Sequence, residues 1–226
     1  TRALSSRAGI LALQIGWQGL QSNSRDRMDQ RICAPVSNAP LLHGDGLGAV
    51  RGERMLFRDV SVTANPGELI LLRGANGSGK TTLLRQLAGL SEAQAGTVER
   101  AGLHPWIGHT NGLKALETPR SHVRHWASVW GSPRDVDTIL KAIGMARPAN
   151  VPCRMLSAGQ KRRTALARLA LEDRNLWLLD EPFNALDTNG QKLLAERIEA
   201  HRAAGGAVIA ALHGASPIQA DKEVML

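Results

Sequence analysis

The stretch Glu68–Leu90, ELILLRGANGSGKTTLLRQLAGL, holds three units in succession: an apolar run, a glycine-rich turn and a helical pattern. The run ELILLRG reads as a buried strand, and TTLLRQLAGL reads as a helix ending near Gly89. Between them Gly74-x4-Gly79-Lys80-Thr81 has the spacing of a phosphate-binding loop, and the strand–turn–helix context is the one that such a loop requires. Glycines let successive backbone N–H groups turn inward around phosphate oxygens, and the helix N-terminus adds its positive dipole end. Lys80 is expected to reach the β- and γ-phosphates, and the Thr81 hydroxyl to bind Mg²⁺.

A nucleotide site of this kind needs an acidic partner, and NLWLLDEP, residues 175–182, supplies one. Its continuous apolar run suits a strand buried on both faces of a parallel sheet, in which strand ends gather at one edge. Asp180 then holds Mg²⁺ through its water shell, and Glu181, pointing differently, polarises the attacking water as general base. A third feature, LSAGQKRR at residues 156–163, puts Ser and Gly at a helix N-terminus with no catalytic base among them. Read locally, Ser157 caps the amphipathic pattern KRRTALARLALE.

The flanks fill out an α/β reading. LLHGDGLGAV and MLFRDVSVTA alternate apolar and polar residues around RGER, which predicts paired antiparallel strands ahead of the loop. SHVRHWASVWG and PRDVDTILKAIG, bordered by Pro and Gly, predict two helices within a small inserted helical subdomain spanning about residues 112–160. Trp126 and Trp130, at i, i+4, are expected to pack a core. His122 and His125 share a helix face, but no third ligand is spaced to complete a metal site. GQKLLAERIEAHRAAGG reads as a helix feeding AVIAAL as the last strand.

With 226 residues and 43% hydrophobic content, the chain can bury one sizeable domain with an insertion. Its net charge of +8 is scattered rather than gathered into a stripe, so it indicates no nucleic-acid partner. No window reaches the roughly 20 apolar residues of a membrane-spanning helix. Cys33 and Cys153 lack metal-site spacing and read as reduced thiols. Residues 1–40 read as a disordered extension; the absence of Asp and Glu through residue 25 also suits a transit peptide.

The order GANGSGKT, LSAGQ, LLDEP, ALD and the later AALH resembles the nucleotide-binding domains of ABC transporters over residues 41–226. That resemblance implies a P-loop NTPase fold with a RecA-like parallel sheet, an N-terminal antiparallel β subdomain and an inserted helical subdomain. It implies ATP and Mg²⁺ as ligands, with Gly74, Ala75, Asn76, Gly77, Ser78, Gly79, Lys80, Thr81 and Thr82 forming the loop around the phosphates. By the same resemblance Ser157 and Gly159 contact the ATP held by a second subunit, Asp187 joins the two sites, and His213 touches the γ-phosphate. The implied functional unit is a homodimer with composite ATP sites.

Within the family, GHTNGLK, LSAGQKRRTALARL and LWLLDEPFNALD are similar to the compact haem-exporter ATP-binding subunits of cytochrome c maturation. The resemblance implies ATP hydrolysis coupled to integral membrane subunits of a haem-handling complex, at the cytoplasmic face of the inner membrane or, alternatively, at the mitochondrial inner membrane. The ATPase of another ABC transporter, or a soluble ABC ATPase of iron–sulfur assembly, shares the nucleotide motifs. Two positions depart from the family pattern. Thr110 stands where a Gln that senses Mg²⁺ is usual, and the place of the adenine-stacking aromatic falls near Arg51, whose guanidinium can itself stack on a base.

Overall fold

The structure, a computed structural model, describes residues 39–102, 104–171, 174–214 and 216–226; the expectations for Cys33 and for the extension up to residue 38 lie outside the described residues. The chain opens with a hairpin, β1 (Leu42–Arg51) and β2 (Arg54–Ala64), closed at Arg51↔Arg54 by a turn in which Gly52 has φ 62°. A strand from further along, β4 (Ala95–Arg100), pairs with the other edge of β1, giving an antiparallel sheet in the order β2-β1-β4. The expected hairpin is present. The third strand escaped the pattern because only Val98 within it is even half-buried, so its residues do not alternate.

A second sheet of five strands carries the centre of the molecule. β3 (Leu69–Arg73), β6 (Leu176–Asp180) and β7 (Ala207–Ala211) are apolar runs buried on both faces, as a covered parallel sheet demands. With β5 (Trp106–Ile107) and β8 (Lys222–Met225) they stand in the order β5-β6-β7-β3-β8, every pair parallel. β7 is therefore not the last strand. Lys222–Met225 adds one more at the edge, where its short length, its charged Lys222 and Glu223 and its mostly exposed side chains hide it from a hydrophobicity reading.

One face of this sheet packs Leu83, Leu84 and Leu87 of α1 (Lys80–Leu87) and the inner face of the antiparallel sheet. The other face packs Leu194 and Ile198 of α5 (Thr188–Ala203) with Leu166 and Leu169. A separate helical cluster contains α2 (Pro119–Trp130) and α3 (Val136–Ala142) around Val123, Ile139, Leu140 and Leu156. Sequence chemistry sets its boundaries. Thr118 and Ser121 form a capping box with Pro119 at the first helical position, and Gly131 closes α2 at φ 65°.

Trp126 and Trp130 pack on this cluster with ring centroids 5.1 Å apart, the Arg168 guanidinium lying 5.0 Å from the Trp126 ring. Cys153 is buried there. The helical pattern expected over residues 161–172 is shorter in fact. α4 runs Ala158–Leu166 and tightens into a 3₁₀ turn at Ala167–Ala170, a common way for the last turn to satisfy its carbonyls. Among the described residues no helix is long and apolar enough to cross a membrane.

Candidate nucleotide site

β3 delivers the chain into the 74–79 loop, where Gly74, Gly77 and Gly79 adopt φ of 145°, 80° and 111°, conformations that exclude ordinary side chains. Space excludes them as well. A Cβ on Gly74 would lie 2.6 Å from both the Leu226 carbonyl and Ser78 Oγ, and one on Gly79 would lie 2.7 Å from the Phe57 ring. The glycine motif thus fixes both the shape of the loop and its contact with β2. α1 begins at Lys80 with no side-chain cap, leaving its first N–H groups to an outside acceptor. Lys80 is buried, and its Nζ donates to the carbonyls of Gly74 at 2.7 Å and Ala75 at 3.0 Å, inside the loop that it closes.

β6 ends on Asp180, which is 1% exposed. Thr81 Oγ1 donates to its carboxylate at 3.0 and 3.2 Å, and His109 Nδ1 lies 3.3 Å from Oδ2. The next residue turns sharply, since Glu181 has φ 49°, a left-handed conformation that costs a non-glycine residue of order 1–3 kcal/mol. Its N–H donates to Ala211 O at 3.0 Å, tying the turn to β7. Among the described residues no side chain bonds or pairs with the Glu181 carboxylate. Ala211 pairs in register with Asp180 and with Leu72, so His213, exposed two residues later, sits at the same sheet edge as the loop.

The LSAGQ segment lies elsewhere. Ser157 Oγ accepts from Gln160 N at 3.2 Å and Gln160 Oε1 from Ser157 N at 3.0 Å, a capping box that starts α4. Gly159 faces the Ala185 carbonyl, which a Cβ would meet at 2.8 Å. Asp187 caps α5 by accepting from Gly190 N at 2.9 Å and pairs with Arg163. Both bonds hold its carboxyl below the usual range. Ser157, Gly159, Gln160, Arg163, Ala185 and Asp187 line one cavity, to which no residue of the phosphate loop contributes. Lys80, Thr81, Asp180 and Glu181 therefore converge, while Ser157, Gly159 and Asp187 form a second group.

The ABC transporter family profile matches residues 57–184. The chain belongs to the ABC transporter family. The ABC ATPase is 54% identical over 191 residues to the cytochrome c biogenesis ATP-binding export protein CcmA of Hyphomonas neptunium, spanning 84% of this chain and 99% of that protein. It is 42% identical to the protein of the same name from Methylococcus capsulatus, over 82% of this chain and 97% of the relative. Its fold matches the ATP-binding subunit of an ABC transporter with a TM-score of 0.68 at 24% identity, over 76% of this chain and 79% of that one. An ABC transporter ATP-binding protein from Pyrococcus furiosus gives 0.69 at 20% identity, over 82% and 96%.

Three residues of the ABC ATPase went unnoticed in its sequence. Thr110 is exposed, and the neighbouring His109 is the one that approaches Asp180. Arg163, which pairs with Asp187, and Arg162, which is 2% exposed, lie in the pattern KRRTALARLALE, which reads only as an amphipathic helix. A signal was present for Arg162: with Ala165, Leu166 and Leu169 it makes the i, i+3, i+4, i+7 stripe that a helix buries. Arg51 closes the β1–β2 turn and is exposed. His122 is buried against Glu117, its Nδ1 3.0 Å from Oε2, and the His122 and His125 rings both stand edge-on to Trp126, at 6.4 and 5.7 Å.

Proposed function

We propose that this ABC ATPase binds and hydrolyses MgATP as the motor subunit of a membrane complex for haem export, or release of a haem-loaded chaperone, in cytochrome c biogenesis. The observation that carries the biological role is 54% identity along 99% of a protein named for that process. In this reading the ATPase pairs with integral membrane subunits at the cytoplasmic face of the inner membrane and works as a homodimer, with no nucleic acid involved.

The chemistry follows from the two groups of residues. Backbone N–H groups of Gly74–Thr82 and the Lys80 ammonium receive the phosphates, the ammonium exchanging one of its two carbonyl bonds for a phosphate oxygen. The hydroxyl of Thr81 and the carboxylate of Asp180, hard oxygen donors already 3.0 Å apart, fit Mg²⁺. The ion, when bound, neutralises charge developing on the phosphate oxygens. Glu181, half-buried and unpaired among the described residues, accepts the proton of the attacking water. His213 at the sheet edge contacts the γ-phosphate. Ser157 and Gly159, lining a cavity to which this chain's own phosphate loop contributes no residue, are offered to the ATP of the second subunit, and Asp187, paired with Arg163, links the two sites.

Complementation tests the role. A bacterium lacking its cytochrome c biogenesis ATP-binding export protein should regain haem-stainable c-type cytochromes with this chain and not with Glu181→Gln. Wild-type chain that hydrolyses ATP yet restores no cytochrome would sink the cytochrome c assignment and leave the ATPase intact.

A further inference from the structure

One side chain bridges the elements that the proposed hydrolysis must coordinate. The guanidinium of Arg162, one turn into α4 beyond Ser157 and Gly159, is 2% exposed. Its Nε donates to Pro182 O at 3.2 Å, and its Nη2 donates to Asp180 O and Glu181 O at 2.8 Å each. Its Nη1 donates to Gly108 O at 2.7 Å and to Asn111 Oδ1 at 3.3 Å. Three consecutive carbonyls from the end of β6, and two oxygens from the turn after β5, thus converge on one planar fork.

That convergence is unusual for a salt-bridging residue. Every acceptor is neutral, and burial lowers the pKa to about 10, with the nearby charges of Asp180 and Glu181 opposing the fall. The group stays protonated at neutral pH, a buried cation whose attraction is spent on peptide oxygens. The carbonyls of residues 180, 181 and 182 reach it together because Glu181 sits at φ 49°. An extended strand would alternate successive carbonyls to opposite sides. Arg162 therefore holds the strained turn that carries the Glu181 carboxylate. A lysine, with a compact three-donor head, cannot span the same five acceptors.

We infer that Arg162 is a positioning residue for ATP hydrolysis, locking the Glu181 turn to the 108–111 turn and to the helix that bears Ser157. It rests on the ATPase reading above and adds a physical route through which movement of the 108–111 turn or of α4 is felt at Glu181. Thr110 needs no long polar side chain for this, because the link runs through Gly108 and Asn111 on either side of it.

The test is steady-state hydrolysis by the purified full chain carrying Arg162→Lys, alongside wild type, Glu181→Gln and the double variant. Misplacing the base by a fraction of an ångström to an ångström predicts a kcat lower by about tenfold or more, with the KM and the equilibrium binding of MgATP within about twofold of wild type. Because Arg162 acts through Glu181, Arg162→Lys should add no further loss in the Glu181→Gln background. An unchanged kcat, a parallel loss of ATP binding, or losses that multiply in the double variant would overturn the inference. Wild-type hydrolysis silenced by Glu181→Gln keeps the ATPase reading standing in each of those cases. Should Arg162→Lys fail to fold, Asn111→Ala in its half-exposed turn decides: turnover lower by about two- to fivefold at unchanged ATP binding supports the role, and unchanged turnover refutes it.

Discussion

The Thr81 hydroxyl donates to both oxygens of the Asp180 carboxylate, at 3.2 and 3.0 Å, across 99 positions of sequence. The contact joins the first turn of α1, which follows β3, to the end of β6; β7 lies between these two strands in the parallel sheet. Asp180 is 1% exposed, so few other donors can satisfy it.

Thr81→Ala removes one of the two oxygen groups proposed for Mg²⁺ and one of the donors to a buried carboxylate. Hydrolysis measured against Mg²⁺ concentration should need about ten- to a hundredfold more of the ion for half-maximal rate. Thr81→Ser, which keeps the hydroxyl, should restore the wild-type requirement. An alanine variant with an unshifted Mg²⁺ curve would remove Thr81 from the metal site.

These two residues were both legible in the sequence, and the reason is geometric. A loop that needs three positive-φ positions must write them as glycine, and a strand buried on both faces must write an uninterrupted apolar run; neither signal depends on distant partners. β4 and β8 were illegible because edge strands facing solvent carry no hydrophobic pattern. The 3₁₀ ending of α4 was hidden for another reason: the i, i+3 contacts of KRRTALARLALE suit either helix type. His109 was passed over in favour of Thr110, since only the coordinates show which of two adjacent loop residues turns toward Asp180. Arg162 stands out in no motif of the sequence, although its spacing puts it on the buried stripe.

Ser157→Arg separates the two residue groups functionally. The substitution removes the N-cap oxygen bonded to Gln160 N, at a cost of about 1 kcal/mol, and puts a long cation into the cavity shared with Gly159 and Asp187. The phosphate loop contributes nothing to that cavity, so a single chain should still bind MgATP. Dimer that accumulates with ATP in a Glu181→Gln background should disappear on size exclusion. Loss of ATP binding by the monomer would mean that LSAGQ serves its own chain's nucleotide.

Gly206→Ala tests the packing under the sheet. The His201 ring stacks on Trp177 at 3.8 Å with an interplanar angle of 6°, and a Cβ on Gly206 would collide with that ring. The Gly206 backbone cannot withdraw easily, as its N–H bonds to His201 O at 3.0 Å and its carbonyl accepts from Gly67 N at 2.9 Å. Overpacking at such a site costs about 1–3 kcal/mol, a melting temperature lower by about 2–10 °C in a chain of this size. A melting temperature equal to wild type would show that the Trp177–His201 stack yields freely.

His122 should give the helical cluster an acid-sensitive stability. Burial lowers its pKa from the ordinary 6.5, the Glu117 carboxylate pulls the other way, and the Arg168 and His125 charges add to the fall. The folded state therefore holds this proton less readily than the unfolded chain. The resulting stability is complete above the unfolded value near 6.5 and is lost as pH falls through the folded pKa. Asp135 and Asp187 behave in the same sense but in a lower window, since their carboxyls are held below 3.8. Thermal melts between pH about 7.5 and 5 should fall with a slope of up to about 1.4 kcal/mol per pH unit from this group. His122→Gln, which can still donate to Glu117 and carries no titrating ring, should flatten the dependence in that interval. Equal slopes for the two proteins would show that the acid sensitivity arises elsewhere.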